Sequence, residues 1–287
     1  LTELNMLYYL LRLSQDEIKT TLTNFVKANF NKEDLIITDS YIFCKGNYPI
    51  LLVAHMDTVY DHKFYSCYGN DFAHNQFKKK LFFDSVEKVI WSPEGLGAGD
   101  RAGIFIIIKL LLAGLRPYVL FTTDEEIGGK GAKQFTEDFK DSSLDKLIKF
   151  IVELDRKGKN DAVYYDCNNK LFQRYINSFN FIPKSGTFSD ICIISPTLNI
   201  AGVNLSVGYY NEHCQNEYLS LLQNDKIYDI IYYMVKESKK LETGFSYFTE
   251  NDSMERCICC GLSFPKTQME RFHNSFLCKD CLPFFKQ

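Results

Sequence analysis

The sequence predicts an α/β protein with a mostly parallel central sheet, helices on both faces, and a small C-terminal zinc knuckle or ribbon. Three observations carry this expectation. Short apolar runs alternate with stretches whose apolar residues fall at helical spacing. The runs ILLVA (50–54), YVLFTT (118–123) and KFIVELD (149–155) each empty into polar residues, as strands do along the carboxyl edge of such a sheet. Finally, two CxxC pairs, Cys257/Cys260 and Cys278/Cys281, crowd the last part of the chain.

Taken in order, residues 3–13 and 15–28 carry amphipathic helical patterns, and 35–45 reads as a hairpin. The strand at 50–54 delivers His55 and Asp57. A helix over 102–115 follows GLGAGDRAG and stops at Gly114, before Pro117. The strand at 118–123 leads to Asp124, Glu125 and Glu126, and the strand at 149–155 ends on Asp155. A helix at 170–179, a strand at 201–208 and a long helix at 215–240 complete a body spanning 1–240. Residues 241–256 read as a linker, and 257–287 as a separate four-cysteine module.

A chain of 287 residues can bury a substantial core. Lys and Arg total 33 against 36 Asp and Glu, a formal net charge of -3, which argues against a general nucleic-acid surface. The 24 Phe and 18 Tyr are interleaved with polar residues and never form the run of about eighteen apolar residues that a membrane span needs. The first residues, LTELNMLYYLLRLS, show no basic leader or cleavage site, so a cytoplasmic protein is expected.

The ten cysteines do not suggest a secreted disulfide framework, because half are scattered and half crowd after 256. Two CxxC turns can present four thiolates tetrahedrally to one structural Zn2+. Cys259 is a spare thiol there, and His273 a possible substitute ligand. So short a segment builds little core, and metal binding would supply its folding energy. Protein or nucleic-acid contact through this tail is open.

GLGAGDRAG (95–103) looks at first like a phosphate cradle. Its glycines miss the dinucleotide spacing, and no Walker lysine follows. What it offers is Asp100 at the mouth of a helix. With His55, the adjacent Glu125 and Glu126, Asp155 and His213, the chain supplies two imidazoles and several carboxylates at expected strand ends and loops. That mixture suits one or two divalent ions, zinc-like in preference. Like charges such as Glu125 and Glu126 at a sheet edge call for a cation, protonation or free solvation.

HMDTV, GLGAGDRAG, FTTDEEIGGKGA, VELDRKG, GTFSD and NEHCQNE occur in the order found in co-catalytic zinc exopeptidases, and over 50–240 the chain resembles that superfamily of M20, M28 and M42 peptidases. The resemblance implies that His55 and Asp155 hold one Zn2+, Glu126 and His213 the other, and an aspartate bridges them. Glu125 would be the general base, and Asp57 would orient His55. Co2+ or Mn2+ could replace the active-site zinc ions, and the tail would hold a third zinc.

The bridge departs from the common GADDRAG form: one alignment puts the bridging position on Gly99, another on Asp100. Asp100 is the expected bridge; loss at Gly99 would leave one metal or a binding-only fold. The interval between Asp155 and His213 is too short for an inserted lid domain, so a compact, M28-like unit is expected. Tyr209 or Tyr210 would contact the oxyanion or simply pack at a sheet edge. Arg156 would grip a substrate carboxylate or form a surface salt bridge, and Ser189 and Asp190 would shape the pocket. The long loop 61–86, with His62, His74 and Lys78 to Lys80, reads as a solvated hairpin or a flap.

The function these expectations support is metal-dependent hydrolysis of an amide bond in a peptide or N-acylated amino acid. A non-peptide amide substrate and a catalytically impaired zinc-stabilised binding protein are the alternatives.

Overall fold

The computed structural model describes residues 2–61, 79–250, 252, 254–266, 269–273, 275–279 and 281–285. His62, Cys67, His74 and Lys78 lie outside the described residues. Eight strands form the central sheet, in the order β1 (Leu35–Ile37), β2 (Tyr41–Cys44), β6 (Pro117–Thr122), β3 (Tyr48–His55), β7 (Phe150–Arg156), β10 (Gly202–Ser206), β8 (Asp161–Val163) and β9 (Ile182–Lys184). The sheet is mixed where a mostly parallel one was expected. β6, β3, β7 and β10 form a parallel centre, but the β1–β2 hairpin joins β6 antiparallel and β8 joins β10 antiparallel.

The centre strands are apolar on both faces because both are covered. In β3, Ile50, Leu52 and Ala54 face one core cluster, while Leu51 and Val53 face the other. The first cluster takes side chains from the helices Glu3–Leu10, Gln15–Asn29, Ala98–Leu112, Lys170–Asn177 and Leu221–Ser238. The second is covered by Lys130–Phe139, Leu144–Leu147 and Ile191–Leu198, three helices the sequence reading did not anticipate.

Local chemistry fixes several boundaries. Ser14 and Glu17 form a reciprocal capping box that starts Gln15–Asn29. The helix Ala98–Leu112, here called the site helix, begins before Ala102, where it was expected, so Gly99 and Asp100 lie in its first turn. It is buried almost all round, and a side chain at Gly103 would meet the Leu154 carbonyl at 1.8 Å. Glycine there lets the helix lie directly on β7. The long C-terminal helix is shorter than expected, Leu221–Ser238, because β12 (Tyr218–Ser220) takes its expected first turn.

β12 belongs to a second antiparallel sheet, ordered β11 (Tyr209–Tyr210), β12, β5 (Val89–Trp91) and β4 (Phe82–Asp84). The interval 156–212 builds β8, two helices, β9, β10 and β11, leaving no residues for a separate lid. Part of the expected linker lies on the body: Phe245 packs against Phe150, Phe172 and Tyr175, and Asn168 N–H donates to the Phe248 carbonyl. Beyond it come two antiparallel hairpins, β13 (Met254–Arg256) with β14 (Ser263–Pro265) and β15 (Met269–Phe272) with β16 (Ser275–Cys278). Among the described residues no helix is long and apolar enough to cross a membrane.

Candidate metal centre

Parallel register gathers the site. His55 on β3 stands opposite Thr122 on β6, and β7 alongside them ends in Asp155 and Arg156. Three segments far apart in sequence therefore finish at one sheet edge, and the first turn of the site helix adds Asp100.

His55, Asp100 and Asp155 each offer one ligand atom within a mutual 4.8 Å, a group able to hold a metal ion. His55 Nε2 lies 3.1 Å from Asp100 Oδ1 and 3.4 Å from Asp155 Oδ1. Its other nitrogen, Nδ1, lies 3.3 Å from Asp57 Oδ1. With Asp57 accepting the Nδ1 proton, Nε2 is the nitrogen that faces the two acids. The fully buried Asp57 does more than orient the ring. Its Oδ1 accepts from Glu125 N–H and its Oδ2 from Glu126 N–H, each at 3.0 Å.

The Glu125–Glu126 turn is fixed from its other side as well. Gln15 donates to the Asp124 carboxylate and accepts from the Asp124 N–H, each at 3.0 Å. Glu126 Oε1 lies 3.4 Å from His213 Nε2, so these two expected ligands meet each other. All five expected body ligands thus fall into two groups, His55/Asp100/Asp155 and Glu126/His213.

Gly99 has a definite role in this arrangement. A Cβ there would stand 2.7 Å from Asp155 Oδ1 and 2.9 Å from the Tyr209 ring. The missing side chain makes room for the Asp155 carboxylate, and Asp100, one residue on, joins it at His55.

The electrostatics of the site favour a cation. Burial raises the carboxyl of Glu125 to about 10; His55 opposes the rise, while Asp155, Glu153 and Asp190 add to it. Asp155 is raised to about 6, again chiefly by burial. Burial disfavours the charged form of His55, yet Asp100 and Asp155 outweigh it and hold the ring well above its usual value. For His213, the hydrogen bond to Glu126 raises the ring to about 9 against the opposing effect of burial. Carboxylates outnumber imidazoles in a water-poor edge. Divalent cations fit this donor set: they offset the negative charge and prefer mixed imidazole and carboxylate ligands.

The other expected contacts separate. Tyr209 is buried, and Asp155 and Asp100 reinforce the effect of burial in holding its hydroxyl well above the usual value. Tyr210 stacks on Tyr218 across β11 and β12, with ring centroids 5.0 Å apart. Arg156 donates to the Ser185 carbonyl and lies 3.9 Å from Asp161. Asp190 is fully buried and accepts from the hydroxyl of Thr122, the residue opposite His55.

Sequence reading named Ser189 but missed Glu153 and Asn204, its partners in a polar layer beneath the site. Glu153, buried on β7, accepts from the Ser189 hydroxyl and from Ile191 N–H. Asn204 Nδ2 donates to Ser189, and Asn204 Oδ1 accepts from Asp155 N–H. The signal available was an acid inside an apolar strand, VELD, two residues before the ligand. Glu217 was also missed, although it sits four residues after His213 in NEHCQNE.

In the tail, Cys257, Cys260, Cys278 and Cys281 bring their sulfurs within 4.8 Å of one another. Cys260 and Cys278 lie 3.9 Å apart, near the roughly 3.8 Å between thiolates that share a tetrahedral zinc. Cys278 N–H points at Cys257 Sγ; burial opposes ionisation there, but backbone donors bring the thiol down to about 6. Neither Cys259 nor His273 belongs to this group.

No family model and no curated protein matches the chain. Its structure does find likenesses. Aminopeptidase PepT from Bacillus cereus superposes with a TM-score of 0.60 at 14% identity, over 83% of this chain and 98% of that one. A tripeptidase from Staphylococcus aureus gives 0.58 at 13%, over 83% and 98%. The chain shares the fold of these two peptidases. A structure described as an endoglucanase from Thermotoga maritima shares it too, at 0.53 and 12% identity over 81% and 97%, so fold likeness alone does not name the substrate.

Proposed function

We propose that the protein is a compact metal-dependent hydrolase that cleaves an amide bond in a peptide or N-acylated amino acid. The observation that carries this reading is the convergence of His55, Asp100 and Asp155 with the Glu126–His213 pair, beside the buried Glu125.

His55 and Asp155 would hold one divalent ion, Glu126 and His213 the other, and Asp100 would bridge them; zinc fits these donors. When bound, the ions supply Lewis-acid activation of water and of the scissile carbonyl. The remaining work falls to the chain. Asp57 fixes the His55 tautomer and, through the Glu125 and Glu126 amides, the aim of both acids. With cations offsetting the acids around it, Glu125 would ionise, take a proton from the attacking water and return it to the leaving nitrogen. A single turn thus assigns one glutamate to metal and its neighbour to the proton.

Tyr209 suits the oxyanion contact better than Tyr210, because its ring lies against Gly99 beside the Asp155 carboxylate while Tyr210 is stacked on Tyr218. Gly99 favours turnover over an impaired binding fold, since its Cβ-sized gap is filled by the Asp155 carboxylate. The four-cysteine tail would hold a third, structural zinc.

The test is Glu125→Gln assayed on a library of dipeptides and N-acyl amino acids. Hydrolysis should fall by about 100-fold or more, with body metal content unchanged. Wild-type protein that hydrolyses none of these compounds with both ions bound would refute the reading.

A further inference from the structure

Glu217 is almost completely buried, yet it lies outside the groups that gather at the metal centre. Its Oε1 accepts from Ala98 N–H, the first residue of the site helix. Its Oε2 accepts from His213 N–H at 3.3 Å and lies 3.3 Å from the Tyr60 hydroxyl. That hydroxyl also reaches the Cys214 carbonyl at 3.0 Å. One carboxylate therefore joins the helix mouth that carries Asp100, the turn that carries His213, and the segment that follows β3.

The His213 turn is closed within itself by Cys214 N–H donating to the Asn211 carbonyl and Asn211 Nδ2 to the Asn216 carbonyl, and Glu217 ties it to the body. His213 and Asn211 both adopt left-handed backbone conformations, with φ of 60° and 59°. Such conformations are uncommon for non-glycine residues, though Asn and His adopt them more readily than most, and contacts with the surroundings help to hold them. The His213 ring itself is half-exposed and contributes little packing. His55, by contrast, is fixed by a buried strand.

We infer that Glu217 is a positioning residue that sets the span of the metal centre by pinning the His213 turn to the first turn of the site helix. It acts through backbone amides and touches neither substrate nor ion. The inference rests on the proposed two-ion reading. Without Glu217 the His55/Asp100/Asp155 group stays intact, and the Glu126/His213 ion loses a ligand held at the right distance from Asp100. Only a carboxylate satisfies donors on both oxygens; an amide has a single acceptor and must release one side.

The test uses the full chain and Zn2+ titrated against a chromophoric chelator, with Glu217→Ala, the isosteric Glu217→Gln, and Tyr60→Phe. Amide hydrogen exchange is followed at Ala98 and across 209–217. In Glu217→Gln the weaker body ion should lose about tenfold or more in affinity, while the tighter one changes by less than about twofold. Exchange of the Ala98 and His213 amides should quicken even in chelator. Tyr60→Phe leaves both backbone bonds in place and should bind both body ions like wild type. Should Glu217→Ala fail to fold, Glu217→Gln carries the test. Wild-type affinity for both ions in Glu217→Gln, or equal weakening of both, overturns the inference alone. A wild-type chain that binds no ions in its body overturns the proposed function and this inference with it.

Discussion

The two halves of the candidate metal centre are built differently. His55 sits at the end of a buried central strand with its side chain 1% exposed, held by Asp57 on one nitrogen and faced by Asp100 and Asp155 on the other. His213 sits on a turn with its side chain 52% exposed, facing Glu126. His55 is part of the core, and His213 is fastened onto it. A co-catalytic site made this way should have one ion bound by a preformed cage and one whose retention depends on a turn.

Substitutions can break that contrast. His55→Ala should remove the tighter ion and also destabilise the chain by about 3–5 kcal/mol, because buried Asp57, Asp100 and Asp155 lose their shared cationic partner. Urea unfolding with and without zinc would show it. Gly99→Ala should come next. Its methyl must displace Asp155 or Tyr209, costing roughly 1–3 kcal/mol, and an Asp155 shift of about 1 Å would lower kcat about 100-fold. His213→Ala should leave unfolding in chelator within about 0.5 kcal/mol of wild type while the weaker ion is lost on dialysis.

The smallest effect is a pH dependence. The folded-state pKa of His213, about 9, lies above the ordinary histidine value, so its pairing with Glu126 stabilises the fold fully below about pH 6.5. That contribution is lost as pH rises through 9. Solvent screening at a half-exposed pair keeps it small. Unfolding midpoints in chelator between pH 6 and 10 should converge for wild type and His213→Ala at the alkaline end; a constant offset across the range would contradict the assignment.

The same contrast governs what the sequence made legible. The site residues that follow apolar runs, His55, Glu125, Glu126 and Asp155, could be read from strands that empty into polar residues. Asp100 could be placed at a helix mouth, but only the space around Gly99 shows why glycine precedes it. Glu217 was missed because an acid within a polar loop has no local signature; its partners at Ala98, His213 and Tyr60 come from distant parts of the chain. The second sheet escaped notice for a related reason. Strands as short as Phe82–Asp84 and Val89–Trp91 hold too few residues for alternation to register. The antiparallel edges of the main sheet are likewise set by long-range pairing, and the Phe245 and Phe248 contacts cannot be inferred from a mixed-polarity stretch.

The most direct measurement is anomalous scattering at the zinc edge from a zinc-soaked crystal of the full chain. Two peaks should appear at the sheet edge, one beside His55 and Asp155, one beside Glu126 and His213, with Asp100 touching both and a third peak among the four cysteines. A single peak at the edge, or two peaks without Asp100 between them, would contradict a bridged two-ion centre.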